Sequence, residues 1–220
     1  MRWVRMRALL LVNLGLFAVF LVGVLLTGHA HENDELADHD QPTQSLIEYA
    51  GSSSFGETVF ENWESEFLQM GMYVLLTTFL VQKGSAESRP IGEPAPQDED
   101  PRDHRDDPRA PWPVRHGSEL LLRLYENSLA IAFGIVFLLS IWLHAVTGAG
   151  AYSEEQQQHG GAAVTTWQYV RTSQFWFESF QNWQSEFLAV AAIVGGSVYL
   201  RQRSSSQSKP VHASNDSTGD

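Results

Sequence analysis

F-E-N-W-E-S-E-F-L, residues Phe60 to Leu68, returns as F-Q-N-W-Q-S-E-F-L from Phe180 to Leu188. Seven of the nine positions are identical, and each copy stands just before an apolar run. The same offset of 120 residues, without a gap, aligns Thr27-Gly28 with Thr147-Gly148, Glu35 with Glu155 and His39 with His159. It also aligns Tyr49 with Tyr169, Phe55 with Phe175 and Ser88-Arg89-Pro90 with Ser208-Lys209-Pro210. One unit is written twice, so the architecture must serve both copies.

Apolar residues gather in four blocks, Ala8 to Thr27, Phe67 to Val81, Ser128 to Val146 and Phe187 to Leu200, separated by strongly polar segments. The first and third each offer about 19 or 20 uncharged residues, enough to cross a hydrocarbon core of about 30 Å as a helix. The second and fourth are shorter and must borrow the preceding N-W-x-S-E turn to complete a span. A cleaved signal peptide after Arg2, Arg5 and Arg7 is the alternative for the first block. Its length and its mid-chain counterpart argue against that reading. The expected fold is therefore an all-α integral membrane protein of four transmembrane helices, arranged as two parallel two-helix repeats. Spans are expected at about 8–27, 62–82, 124–146 and 182–200. Repeat one occupies 1–83 and repeat two 119–203, with a disordered linker at 84–118 and a disordered tail at 204–220.

With four spans, thirteen of the fourteen Lys and Arg residues fall on one side and only Arg171 on the other. The positive-inside bias then places both termini and the central linker in the cytoplasm. A net charge of −12 argues against a nucleic-acid partner. The partners expected are the lipid bilayer itself and either a membrane protein or a second copy of the chain. The absence of cysteine excludes thiol catalysis, disulfides and cysteine-based zinc sites.

Each outer segment of about 35 residues should hold a short interfacial helix. Capping-box spacings at Ser45 to Glu48 and at Ser54 to Glu57 mark helix starts in the first. In the second, Thr165 to Val170 and Phe175-Trp176-Phe177 supply β-branched and aromatic bulk. The linker from Gly84 to Pro113 holds seven of the nine prolines and cannot build a core.

Helical rise places Glu66 and Glu186 inside the core near its outer boundary, and an intramembrane carboxylate is by default a functional candidate. Asn62 and Asn182, four residues earlier, share the face of those carboxylates. With Ser65 and Ser185 they make a polar seam, read either as a lock between the copies or as a proton or cation site. Trp63 and Trp183, with Phe67 and Phe187, read as an aromatic belt toward lipid, and Trp112 as an interfacial anchor before the third span or as an extended docking motif for a partner. Outside the membrane, Glu35 with His39 and Glu155 with His159 have the i,i+4 spacing of a weak metal site; a solvated acidic loop explains them as well. His144 reads as a side chain reaching for the interface. No H-E-x-x-H, phosphate-binding glycine loop or G-x-S-x-G elbow is present, so no enzyme activity and no cofactor are expected.

F-E-N-W-E-S-E-F-L-Q-M-G, A-P-W-P-V-R, Y-S-E-E-Q-x-x-H-G and F-W-F-E-S-F-Q-N-W-Q-S-E-F-L-A carry a resemblance that extends over nearly the whole chain. In these motifs the chain resembles an uncharacterised family of bacterial multi-pass membrane proteins, a domain-of-unknown-function family. The resemblance implies a bacterial plasma-membrane location and a multi-pass fold, and assigns no catalysis. The chain departs from the family pattern at His31-Glu32-Asn33-Asp34-Glu35, where the family carries a tyrosine followed by N-E-E-Q. The function expected is that of a small structural or partner-binding membrane protein, with an ion or proton pathway through Glu66 and Glu186 as the alternative.

Overall fold

The computed structural model describes residues 2–219. Its regular elements are helical, with no strand among the described residues. In chain order they are α1 (Arg2–Met6), α2 (Ala8–Asp38), α3 (Leu46–Ala50), α4 (Ser53–Phe79), α5 (Trp112–His116), α6 (Glu119–Glu126), α7 (Ser128–Gln158), α8 (Thr166–Tyr169) and α9 (Ser173–Tyr199), with two 3₁₀ turns in the linker.

The 120-residue offset recurs in the helix limits. α2 and α7 both run 31 residues and α4 and α9 both run 27, each pair starting and ending at aligned positions. Local chemistry explains the agreement. Ser45 caps α3 through Glu48 N–H while the Glu48 carboxylate accepts from Ser45 N–H at 2.7 Å. Thr165 and Gln168 build the same box on α8. Ser52 Oγ accepts from Phe55 N–H at 3.2 Å and Thr172 Oγ1 from Phe175 N–H at 3.3 Å, so matching hydroxyls open α4 and α9. The box expected at Ser54 to Glu57 does not form: α4 has already begun at Ser53, and Ser54 Oγ donates instead to Glu32.

Two helices, Ala8–Asp38 and Ser128–Gln158, are long and apolar enough to cross a membrane. Both continue as helix beyond their apolar blocks, to Asp38 and Gln158, so the polar segments that follow begin as helical extensions. The helix expected to run on from about 124 is interrupted. Asn127 ends α6, its side-chain amide donating to Arg123 C=O at 2.9 Å, and a new helix starts at Ser128. α4 and α9 are each one unbroken helix through the N-W-x-S-E turn, ending at Phe79 and Tyr199. The linker at 84–118 is held by short turns and surface ion pairs, with Arg102 serving Asp100, Glu119 and Glu126.

The chain divides into two compact units, 1–61 with 141–176, and 62–140 with 177–220. In the first, Ala145, Ala149, Tyr169 and Phe175 form a buried cluster flanked by Ile141, Tyr152, Val164 and Val170. The interior of the second is more polar, with Glu64, Ser65, Gln69, Ser140, Ser179 and Ser197 all buried.

Candidate functional site

In the first unit the site is built on the C-terminal half of α7. Gly148 leaves a gap there, because a Cβ at that position would stand 2.5 Å from the Tyr169 ring and 2.8 Å from Glu57 Oε1. Into that gap α8 sends Tyr169, fully buried, whose hydroxyl donates to Glu57 Oε1 at 3.0 Å. One turn earlier on α7, His144 is also fully buried, stacked on Phe175 at 4.9 Å and edge-on to Tyr169 at 6.3 Å. A ring nitrogen of His144 and a carboxylate oxygen of Glu57 lie within 4.8 Å of each other. The reading of His144 as a side chain reaching outward is therefore corrected: its turn of α7 faces the Phe175 and Tyr169 rings, which cover it.

In the second unit the buried carboxylate is Glu64, at 0 % exposure. The indole N–H of Trp183 donates to its Oε1 at 3.1 Å. Phe137 and Phe180 meet Trp183 edge-on at 6.4 and 5.4 Å, and Phe67 lies 6.2 Å from Phe133. Gly71 brings α4 close to α7, since a Cβ there would come within 3.2 Å of Phe133 Cβ. Glu64 belongs to the first sequence copy and Trp183 to the second, so this hydrogen bond crosses the duplication. So does the one from Tyr169 to Glu57.

The predicted seam is distributed differently. Ser65 is buried, but its hydroxyl donates to Asn62 C=O at 2.8 Å, and Ser185 does the same to Asn182 C=O at 2.8 Å. Both serines thus spend their hydrogens on their own helices. Glu66 and Asn62 are exposed, while Glu186 and Asn182 are half-buried. Glu186 lies close enough to Glu66 to feel its charge. Glu64 and Glu66 are two residues apart, about 200° around a helix of 3.6 residues per turn, so only one of them can face the interior. Trp63 is half-buried. Trp183 points to Glu64 rather than outward, and Trp112 is exposed with His116 stacked against it.

His39 Nδ1 lies 2.9 Å from Glu35 C=O, and His159 Nδ1 lies 2.9 Å from Glu155 C=O. The i,i+4 spacing thus produces two helix-end caps, with the exposed rings 6.1 Å apart, instead of carboxylate and imidazole pairs. The Glu35 carboxylate meets His31 instead, at 3.5 Å.

The family described as Domain of unknown function (DUF6766) matches residues 1–220, the full length. The chain belongs to the DUF6766 family. No curated protein and no solved structure gave a match. In this DUF6766 chain sequence reasoning missed the burial of Glu64 and its bond from Trp183, and the bond from Tyr169 to Glu57. Tyr169 and Gly148 were visible as a repeated pair, whereas Glu57 and His144 were not, because their counterparts 120 residues away are Phe177 and Val24.

Outside the apolar blocks, burial and then the charge of Glu32 push the Glu154 carboxyl up from its ordinary value. The same two causes, in the same order, raise the Tyr49 hydroxyl.

Proposed function

We propose that this chain is a four-span protein of the bacterial inner membrane, with both termini and the linker cytoplasmic, acting as a structural or partner-binding element. In this reading buried polar clasps bolt its two sequence copies together. The observation that carries it is the fully buried Glu64 of one copy held by the Trp183 indole of the other. A carboxylate away from water is costly unless hydrogen-bonded, so such a pair specifies which helix faces meet more than it adds stability.

Several features support the membrane part. Apolar residues of α2 such as Leu9, Val19 and Phe20 are more than 60 % exposed, which suits lipid tails or another helix and does not suit water. α4 and α9 each carry an uncharged stretch after the N-W-x-S-E turn, Phe67 to Phe79 and Phe187 to Tyr199, about 20 Å long at 1.5 Å per residue. The polar turn completes the crossing, and the basic residues set the orientation. Exposed apolar faces leave room for a second copy or a membrane partner.

Two experiments test this. Reporter fusions in the 84–118 linker should read cytoplasmic, and a periplasmic signal there ends the four-span reading. Trp183→Phe should lower stability in detergent by about 1–3 kcal/mol by leaving Glu64 without the indole. In a double-mutant cycle with Glu64→Leu that loss should largely vanish, whereas additive losses would remove the clasp. The alternative is a proton or cation pathway through Glu66 and Glu186, favoured by their electrostatic proximity. Flux in proteoliposomes that is abolished by Glu66→Gln with Glu186→Gln would replace the structural reading with that one.

A further inference from the structure

We infer that the turn after α9 forms a binding site for the phosphate of an anionic membrane lipid, with Arg203 as the contacting cation. This rests on the four-span reading, which sets the turn among the cytoplasmic headgroups.

The turns that follow α4 and α9 share one hydrogen-bond pattern. Gln82 N–H donates to Ser88 Oγ at 2.7 Å, and Gln202 N–H to Ser208 Oγ at 2.9 Å. Glu87 N–H donates to Ser85 Oγ and Gln207 N–H to Ser205 Oγ, both at 3.1 Å. Gly84 takes a left-handed φ of 84°, and Ser204 holds 69° although its Cβ makes that conformation costly. The two turns differ in what answers their charge. In the first, Lys83 meets Asp216 at 3.2 Å, Arg89 pairs with Asp98, and Gly84 N–H donates to Thr218 Oγ1 at 2.8 Å. In the second, the aligned Arg203 and Lys209 form no ion pair among the described residues, and Ser204 N–H has no acceptor there.

The second turn borders a cavity of about 710 Å³, lined by Arg203, Lys209, His212 and several serines, with no carboxylate. In a chain of net charge −12 such a lining makes a local positive potential. Lys209 is buried and spends its ammonium on the carbonyls of Ser214, Asn215 and Ser217, at 3.0, 3.2 and 2.9 Å. Its charge is fixed in the cavity wall. Arg203 is exposed and keeps its guanidinium fork, which suits paired phosphate oxygens. The first turn shows what this scaffold accepts: a carboxylate on the basic side chain and an oxygen on the left-handed N–H. A phosphate offers both contacts at once. Val211 in the lining is exposed, as are Tyr199 and Leu200 just before the turn, and apolar surface beside a cationic cavity suits a lipid better than free phosphate.

The test uses the full-length protein, purified in detergent and stripped of lipid, titrated with phosphatidylglycerol, phosphatidylcholine or inorganic phosphate. Native mass spectrometry counts bound lipid, and thermal unfolding reads stabilisation by all three. One saturable phosphatidylglycerol is expected, bound at least about 5-fold tighter than phosphatidylcholine or inorganic phosphate. Arg203→Gln should weaken it about 5-fold, the weight of one basic residue near an anionic surface. Lys83→Gln should leave it unchanged, because Asp216 already answers that charge. The inference is overturned if phosphatidylglycerol shows no preference, if inorganic phosphate binds as tightly, or if Arg203→Gln binds like the parent. Equal losses in Arg203→Gln and Lys83→Gln would also overturn it, since they would mark diffuse attraction. Micelles have no sidedness, so a periplasmic linker in the reporter fusions would end the four-span orientation and leave these binding results standing.

Discussion

The joint between Gly28 and Tyr49 and the joint between Gly148 and Tyr169 have the same design and different surroundings. In each, a glycine on a long helix admits a buried tyrosine from the short helix that follows. In each, a phenylalanine packs on that tyrosine at 5.5 Å, Phe55 on Tyr49 and Phe175 on Tyr169. The turn after the long helix is pinned back at the same position too, but by other atoms. Asn33 exchanges two hydrogen bonds with the backbone of Gln44, at 2.8 and 3.0 Å. At the aligned place the Ser153 hydroxyl accepts from Val164 N–H at 3.0 Å and faces its C=O at 3.3 Å. Shape has been kept through the duplication while the polar groups have changed: the His29 ring lies 5.9 Å from Tyr49 in the first joint, whereas in the second His144 lies 6.3 Å from Tyr169, whose hydroxyl donates to Glu57.

The sharpest break of this comparison is removal of the tyrosines. Tyr49→Ala and Tyr169→Ala should each cost about 3–5 kcal/mol in detergent unfolding, because both leave a large buried hole. Similar losses would show that the joints do the same mechanical work, and a loss confined to one would show that they do not. Tyr169→Phe, which keeps the ring and loses the bond to Glu57, should cost about 1 kcal/mol. Gly28→Ala and Gly148→Ala come next, at about 1–3 kcal/mol each, since the new methyl collides with a buried tyrosine. Gly15→Ala, which meets nothing within 4 Å, should be neutral or stabilising. A neutral Gly148→Ala would mean that Tyr169 can withdraw. The smallest effect belongs to pH. The raised Glu154 carboxyl keeps its proton in the folded chain where the unfolded chain has lost it, so its contribution favours folding below the unfolded value. That contribution disappears as pH rises through the folded value. Glu154→Gln should therefore match the parent in acid and exceed it slightly at neutral pH, and an unchanged difference across the range would contradict the assignment.

The two short helices α3 and α8 were legible because Ser45 with Glu48 is a rule of four neighbouring residues, and Thr165 with Gln168 repeats it. The long helices were legible as apolar blocks, though not how far α2 and α7 run beyond them. The polar seam was legible as a stretch and misassigned within it. Glu66 drew attention because it is identical in both copies, whereas Glu64, aligned with Gln184, is the residue the fold buries. Identity between copies marks what both need and is blind to what one copy does alone. The placement of His144 and Glu57 escaped for the same reason, each facing an apolar residue in the alignment.

Helix existence, helix length and the 120-residue periodicity are short-range properties, decided by apolar content, caps and turn residues within a few positions of one another. They follow from the chain order alone. Which side of α4 turns inward, and which rings cover His144, depend on side chains about 30 to 120 residues distant that arrive only when the helices pack. A shift of two residues on a helix reverses its face, and no local rule distinguishes Glu64 from Glu66 until Trp183 is brought against one of them.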